Sequence, residues 1–393
     1  MNSRERMLAA ITGGTPDRVP LSFMIFNALR ARSDDWRDFT DRAVALGLDP
    51  VVDLIGIVPN GGAEHSDCPG PPVHFAPGVV TREWRTRERD ARYSVLHKEY
   101  VTPDGTLTVA VNRTDDWRFG DHVPFLNDYI EPRATKHLVT SPDDLPALRH
   151  LLVEPTAADL VEFREACREA KTFATKRQLL LSGGWGIGAD ALAWLFGLTD
   201  AVLAAVDRPD FLDDLLDILH RWNLRRMSLM LEAGLDLFIR RGWYEGTSFW
   251  SPTLYRRFIL PRVKAEAALA HEAGAKFGYI MTVGANPFAD LLVEADVDVV
   301  IGVEDVQDHG MDFAALKRKT RGKLALWGGV NGFLHIEEGG ADDIRAATVR
   351  ALDTLGPDGF ILSPVDNIRN TSEDVWQRVL FFIETWKDLV NDG

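Results

Sequence analysis

From about Leu179 the chain settles into a rhythm: a short apolar run, a loop, a stretch of helical period, then the next run. The runs are 177–183 (RQLLLSG), 235–241 (LDLFIRR), 275–282 (AKFGYIMT), 297–303 (VDVVIGV), 323–329 (KLALWGG) and 359–364 (GFILSP). Two earlier runs, 19–26 (VPLSFMIF) and 51–57 (VVDLIGI), bring the total to eight. Each is short and continuously apolar, as parallel strands buried on both faces are. Helical patterns such as FLDDLLDILHRWNLRRMSLMLEA and ADDIRAATVRALDTLG separate most of them. Eight strands alternating with helices predict an α/β fold, a (β/α)8 TIM barrel. An open doubly wound sheet is the alternative, because periodicity alone does not close a ring.

The N-terminal part breaks this rhythm. Residues 59–77 (PNGGAEHSDCPGPPVHFAP) read as loop, rich in Gly and Pro. Residues 78–120 then alternate loosely between apolar and polar positions, with a turn at Thr102-Pro103-Asp104-Gly105-Thr106. The expected organisation is one barrel domain over 1–393, carrying a loop and antiparallel β-hairpin insertion at about 58–122. The length of 393 residues suits one large barrel with insertions, or two to three ordinary domains.

Composition narrows the function. The balance of 44 basic and 59 acidic residues gives a net charge of −15 and no basic stripe, which argues against a nucleic-acid binder. No window approaches the roughly 18 consecutive apolar residues of a membrane span. The start, MNSRERMLAAITGG, lacks a signal-peptide core. The two cysteines, Cys68 and Cys167, form no disulfide framework. A soluble, cytoplasmic protein is expected.

In such barrels chemistry sits at the C-terminal strand ends and in the loops that follow. Those positions hold Asn27, Trp185, Arg240, Arg241, Trp243, Tyr244, Glu245, Tyr279, Met281, Glu304, Asp305, Trp327, Asn331, Asp366 and Asn367. A carboxyl in an aromatic pocket has a raised pKa and can act as an acid near neutral pH. The expected catalytic residues are therefore Glu245, Tyr279, Asp366 and Glu304. Asn27, Trp185, Arg241, Trp243, Tyr244, Met281, Trp327, Asn331 and Asn367 are expected to contact substrate. The cluster SGGWGIGAD follows a strand but is not the dinucleotide fingerprint, and reads as a tight loop admitting a ligand. Glu64, His65, Asp67, Cys68 and His74 place metal-type ligands within about ten residues. Their Pro- and Gly-rich setting outside the strand pattern argues against a zinc site, and no metal ligand is assigned.

Several stretches carry a family resemblance. Arg4-Glu5-Arg6 leading to Thr15-Pro16-Asp17-Arg18-Val19-Pro20 resembles the opening of the uroporphyrinogen decarboxylase superfamily. So do Ser251-Pro252 with the run LYRRFILPRVKAEAALAHEAGAKFGY, Trp327-Gly328-Gly329-Val330-Asn331, and GFILSPVDNI near the C-terminus. The resemblance implies a (β/α)8 barrel, often a homodimer. It also implies one of two chemistries: metal-free decarboxylation of uroporphyrinogen, or methyl transfer involving a corrinoid protein and usually zinc.

The departures are informative. The decarboxylases' Arg-Gln-Ala-Gly-Arg-Tyr stretch is replaced by Ser22-Phe23-Met24-Ile25-Phe26-Asn27-Ala28-Leu29-Arg30. Where the zinc methyltransferases carry His-x-Cys-Gly, this chain has Met281-Thr282-Val283-Gly284, and no cysteine stands near Val365 or Asp366. The expectation is methyl transfer between a small methylated substrate and a corrinoid on a separate partner protein. No tightly held cofactor and no His/Cys zinc site of the family type are expected in this chain. The alternatives are metal-free decarboxylation of uroporphyrinogen or another aromatic or pyrrolic acid, and a non-catalytic small-molecule-binding barrel.

Overall fold

A computed structural model describes residues 1–58, 67–308, 310–365 and 368–391, with the backbone alone of Trp185 and Gly186. The candidates Glu64, His65, Asp366 and Asn367, and the side chain of Trp185, lie outside what is described. Eleven strands are present among the described residues. They are β1 (Val51–Asp53), β2 (Val80–Thr86), β3 (Val95–Thr102), β4 (Gly105–Asn112), β5 (Ala134–Lys136), β6 (Leu180–Gly186), β7 (Leu237–Arg240), β8 (Lys276–Ile280), β9 (Val299–Val303), β10 (Ala325–Asn331) and β11 (Phe360–Val365). Seven form a parallel sheet in the order β1-β6-β7-β8-β9-β10-β11. The other four form a separate antiparallel sheet, β2-β3-β4-β5. The fold is thus α/β, and the insertion runs past the expected boundary near residue 122 to Lys136.

The run 19–26 does not form a strand. Leu21 makes a single parallel bridge to Leu362. Ser22 N donates to Leu362 O at 3.0 Å, Leu362 N to Pro20 O at 2.9 Å, and Asp49 N to Leu21 O at 3.0 Å. Pro20 has no N–H to extend a ladder. Two indoles take nearby carbonyls: Trp386 Nε1 donates to Val19 O at 3.0 Å and Trp327 Nε1 to Ser22 O at 2.9 Å. The run 51–57 is strand only to Asp53, whose side chain accepts from Ile55 N and starts the 3-10 turn Leu54–Gly56.

The parallel sheet buries both faces. On its concave face Leu180, Leu237, Ile280, Val299, Ile301, Ala325, Trp327 and Ile361 pack together with Met7, Ala10 and Ile11 of the helix Ser3–Ile11. That helix begins in a reciprocal cap: Asn2 Oδ1 accepts from Glu5 N, and Glu5 Oε2 accepts from Asn2 N. On the convex face Leu181, Phe238, Phe277, Tyr279, Val300, Leu326 and Leu362 join the large core shared with the helices. The helices between strands include Gly188–Phe196, Pro209–Leu231, Leu260–Glu272, Ala285–Glu294, Phe313–Thr320 and Ala341–Leu355. No single helix among the described residues is long and apolar enough to cross a membrane.

Candidate active site

Parity along each strand decides which side chains reach the open C-terminal mouth of the concave face. Side chains two residues apart share a face. In β1, Val51 packs on the concave cluster, so Asp53 faces the same way at the strand's C-terminal end. In β6, Leu180 faces inward and so does Ser182, which is paired in register with Asp53. Ser182 Oγ donates to Asp53 Oδ1 at 3.1 Å, and Ile55 N lies 3.4 Å from the same oxygen. Met24, Ile239 and Trp243 pack on the same cluster beside buried Trp327. Met24 N donates to Ser363 Oγ at 3.4 Å, which brings β11 to the same rim.

Asp53 is the chemically distinctive group here. Solvent reaches it. Surrounding protein atoms still take water from it, and this loss, only partly offset by the Ile55 amide, Ser182 and Arg30, pushes its pKa up to about 6. Arg30 stands over the neighbouring turn, its guanidinium carbon 4.9 Å from the Phe39 ring centroid. A Cβ added to Gly56 would sit 3.6 Å from Arg30 Nη2. The mouth therefore combines an acid with a pKa of about 6, the Arg30 cation, hydroxyls, a thioether and the Trp243 indole. Sequence reasoning passed over Asp53. The available signal was a lone carboxylate inside the apolar run 51–57.

Glu245 and Tyr279 are brought together, but on the convex side and away from the mouth. Both are fully buried. Arg240 Nε donates to Glu245 Oε2 at 3.1 Å, Arg240 Nη2 to Oε1 at 2.5 Å, and Ala189 N to Oε1 at 2.6 Å. Tyr279 Oη donates to Glu245, and Tyr255 Oη to Tyr279 Oη at 3.2 Å. Arg240 also pairs with Glu266, whose other oxygen lies 3.3 Å from His220 Nδ1. Burial works against the Glu266 charge, yet Arg240 and His220 outweigh it and hold that carboxyl below its usual range. Burial and the Glu245 charge push the Tyr279 phenol well up. The glycine-rich loop serves this ion pair: a Cβ on Gly188 would meet Arg240 Nη2 at 2.0 Å and Glu245 Oε1 at 2.4 Å. The space expected for a ligand there is filled by the pair.

Glu304 is also fully occupied, accepting from Val306 N at 2.7 Å, Gln307 N at 2.6 Å and Asn331 Nδ2 at 3.2 Å. Asn331 Oδ1 caps the next turn through Leu334 N at 2.7 Å. These two residues brace the loop after β9 rather than face a cavity. Met281 is buried in the convex core, and Asn27 opens the short rim helix Asn27–Arg30.

Arg241, Trp243 and Tyr244 form the rim nearest the insertion. Arg241 Nη2 donates to both oxygens of Asp128 at 2.5 and 2.6 Å, and Nε donates to Asp190. Its guanidinium lies 4.8 Å from the Trp194 ring centroid and 4.6 Å from that of Trp243. Tyr244 N donates to Asp190 Oδ1 at 2.9 Å. Burial raises Asp190 to about 6 despite Arg241.

Of the metal candidates, Cys68 is buried, which raises its thiol pKa, and its Sγ lies 3.5 Å from Arg226 Nη2. Asp67 Oδ1 accepts from Lys98 Nζ and Phe125 N, both at 3.0 Å, and His74 Nδ1 lies 3.1 Å from Asp159. Among the described residues no group of three His, Cys, Asp or Glu side chains is gathered to hold a metal ion.

The family model for uroporphyrinogen decarboxylase (URO-D) matches residues 114–371. The chain belongs to the URO-D family. Its matched segment holds β5 to β11 but not β1, so Asp53 stands outside it. No curated protein matches the sequence. Among solved structures, a methyltransferase from Methanosarcina mazei is similar over 99% of this chain and 99% of its own, at 16% identity and a TM-score of 0.65. That likeness is one of fold. A B12-independent methionine synthase from Shewanella sp. W3-18-1 aligns with 57% of this chain and 66% of its own, at 12% identity and a TM-score of 0.39, too distant to inform function.

Proposed function

We propose that this URO-D family chain is an enzyme that moves a methyl group between a small methylated substrate and a corrinoid carried by a separate protein. Asp53 is its acid. The supporting observation is a carboxyl with a pKa of about 6, reached by solvent, at a strand end that faces the same side as the half-buried Met24 and Trp243. The fold reading that accompanies it is a (β/α)8 barrel with Pro20–Ser22 as a one-bridge first strand.

The bond between the methyl carbon and the substrate's oxygen or nitrogen breaks. Its electron pair stays on that heteroatom, and Asp53 supplies the proton that neutralises it. The corrinoid on its partner supplies the nucleophile that accepts the methyl group. Ser182 Oγ, bonded to Asp53 Oδ1, leaves the second carboxyl oxygen to face the substrate. Trp243 offers a flat apolar wall, and Arg30 can hold an anionic substituent. Met281 and Val283 occupy the positions that the resemblance gives to zinc ligands, and this reading routes no step through a metal.

A second reading, decarboxylation, is favoured by one feature. Arg30 beside Asp53 pairs a carboxylate anchor with a proton donor. An anaerobic absorbance titration with cob(I)alamin and methylcobalamin, across methyl ethers and methylamines, separates the two. Methyl transfer predicts substrate-dependent methylcobalamin formation that Asp53→Asn slows by about 100-fold or more. Release of CO2 from an aromatic or pyrrolic acid, independent of cobalamin, would instead establish the second reading.

A further inference from the structure

Outside the mouth, the helix Pro209–Leu231 and the segment 149–154 enclose a solvent-open hollow of about 320 Å³. Its floor is apolar: Leu152, Val153, Ile218 and Trp222. Trp222 is held rigidly, since its Nε1 donates to Val153 O at 3.3 Å and the Arg226 guanidinium stacks 4.6 Å from the ring centroid. The rim is cationic: Arg149, Arg221 and Arg225 line it. Arg221 and Arg225 stand one helical turn apart and project from the same face. Glu154 neutralises Arg225 through two bonds of 2.6 and 2.7 Å. Arg149 and Arg221 are exposed and enter no ion pair among the described residues.

The hollow thus offers two uncompensated guanidiniums over a rigid apolar floor, on a chain whose net charge is −15. Its volume lies within the roughly 300–1,000 Å³ of small-molecule sites. A guanidinium fork matches phosphoryl oxygens bidentately, and two of them match a dianion. A lone carboxylate would leave one charge unmet. We propose that this hollow binds a small organic phosphomonoester, its phosphoryl group between Arg149 and Arg221 and its apolar body against Trp222. The site is independent of Asp53 and of the reaction at the mouth.

The test is isothermal titration calorimetry of the full chain with phenyl phosphate and, separately, inorganic phosphate. Saturable binding is expected, with phenyl phosphate about tenfold tighter because its ring covers the floor. The double variant Arg149→Ala/Arg221→Ala should weaken phenyl phosphate at least tenfold. Both side chains are exposed, so its melting temperature should stay near that of the parent, confirming that the fold is intact. Asp53→Asn should bind phenyl phosphate normally. Absence of saturable heat up to about 10 mM, or unchanged affinity in the double variant, overturns the proposal. Equal affinity for the two ligands removes the organic ester and leaves a free-phosphate site.

Discussion

Asp53 and Asp190 share a pKa of about 6 and the same largest cause, loss of water, but they have different fates. Asp190 is fully buried, with Arg241 and the Tyr244 amide on its oxygens, and cannot exchange a proton with a ligand. Asp53 can. An ordinary aspartate titrates near 3.9, so folding raises the Asp53 pKa and the folded state binds this proton more tightly. The stabilisation from protonated Asp53 is complete below about pH 4 and is lost as pH rises through about 6. Asp53→Asn should therefore be the more stable protein at pH 8, and the advantage should vanish below pH 4. A shift of two units corresponds to about 3 kcal/mol, and solvent access reduces the expected gain to about 1 kcal/mol. Urea unfolding at the two pH values measures it, and a less stable variant at pH 8 would contradict the assignment. Substitution at Glu245 has the opposite outcome for stability. Glu245→Gln strips one carboxylate from a buried pair and should cost about 3 kcal/mol by the same assay, with Glu266 keeping Arg240 partly compensated.

At the scale of elements, the weakest join in the parallel sheet is the single bridge at Leu21. If the segment Pro20–Ser22 links β11 to the residues before β1, the amides of Ser22, Leu362 and Asp49 should resist hydrogen exchange nearly as long as the centre of β7. Exchange of Ser22 on the timescale of surface loops would mean the ring opens there. The same element shows what the sequence could and could not reveal. Strands β6 to β11 were legible because short continuous apolar runs between helical periods have few other readings. The segment 19–26 was not, since Pro20 and two distant indoles take the ladder's place. The site was harder still. Continuously apolar strands show no alternation, so nothing in the sequence tells the inward position from the outward one. Tyr279 sits one residue before inward-facing Ile280 and thereby falls into the convex core, and Glu245 follows it there, while Asp53 inherits the inward parity of Val51.

For the molecule as a whole, the question is how the insertion and the parallel sheet act on one mouth. Asp128 lies between β4 and β5, and Arg241 directly follows β7, so their pairing ties the antiparallel sheet to the rim. Trp194 Nε1 donates to the same Asp128 oxygen at 3.0 Å, and Leu198 N donates to Glu131 at 2.9 Å, so the tie involves the helices after β6 as well. Arg241 in turn stacks on Trp243, which packs on the concave cluster. Asp128→Ala removes one of the two carboxylates on Arg241 and leaves the Asp190 bond in place. Because Asp128 is partly exposed, the stability cost should be about 1 kcal/mol. The functional cost should be larger, because Trp243 loses a fixed neighbour while Asp53 is untouched. The expected signature is a KM raised several-fold with kcat nearly unchanged, and faster proteolytic cleavage within residues 113–133. A fall in kcat alone would place Asp128 in the chemical step and not in the joint between the two sheets.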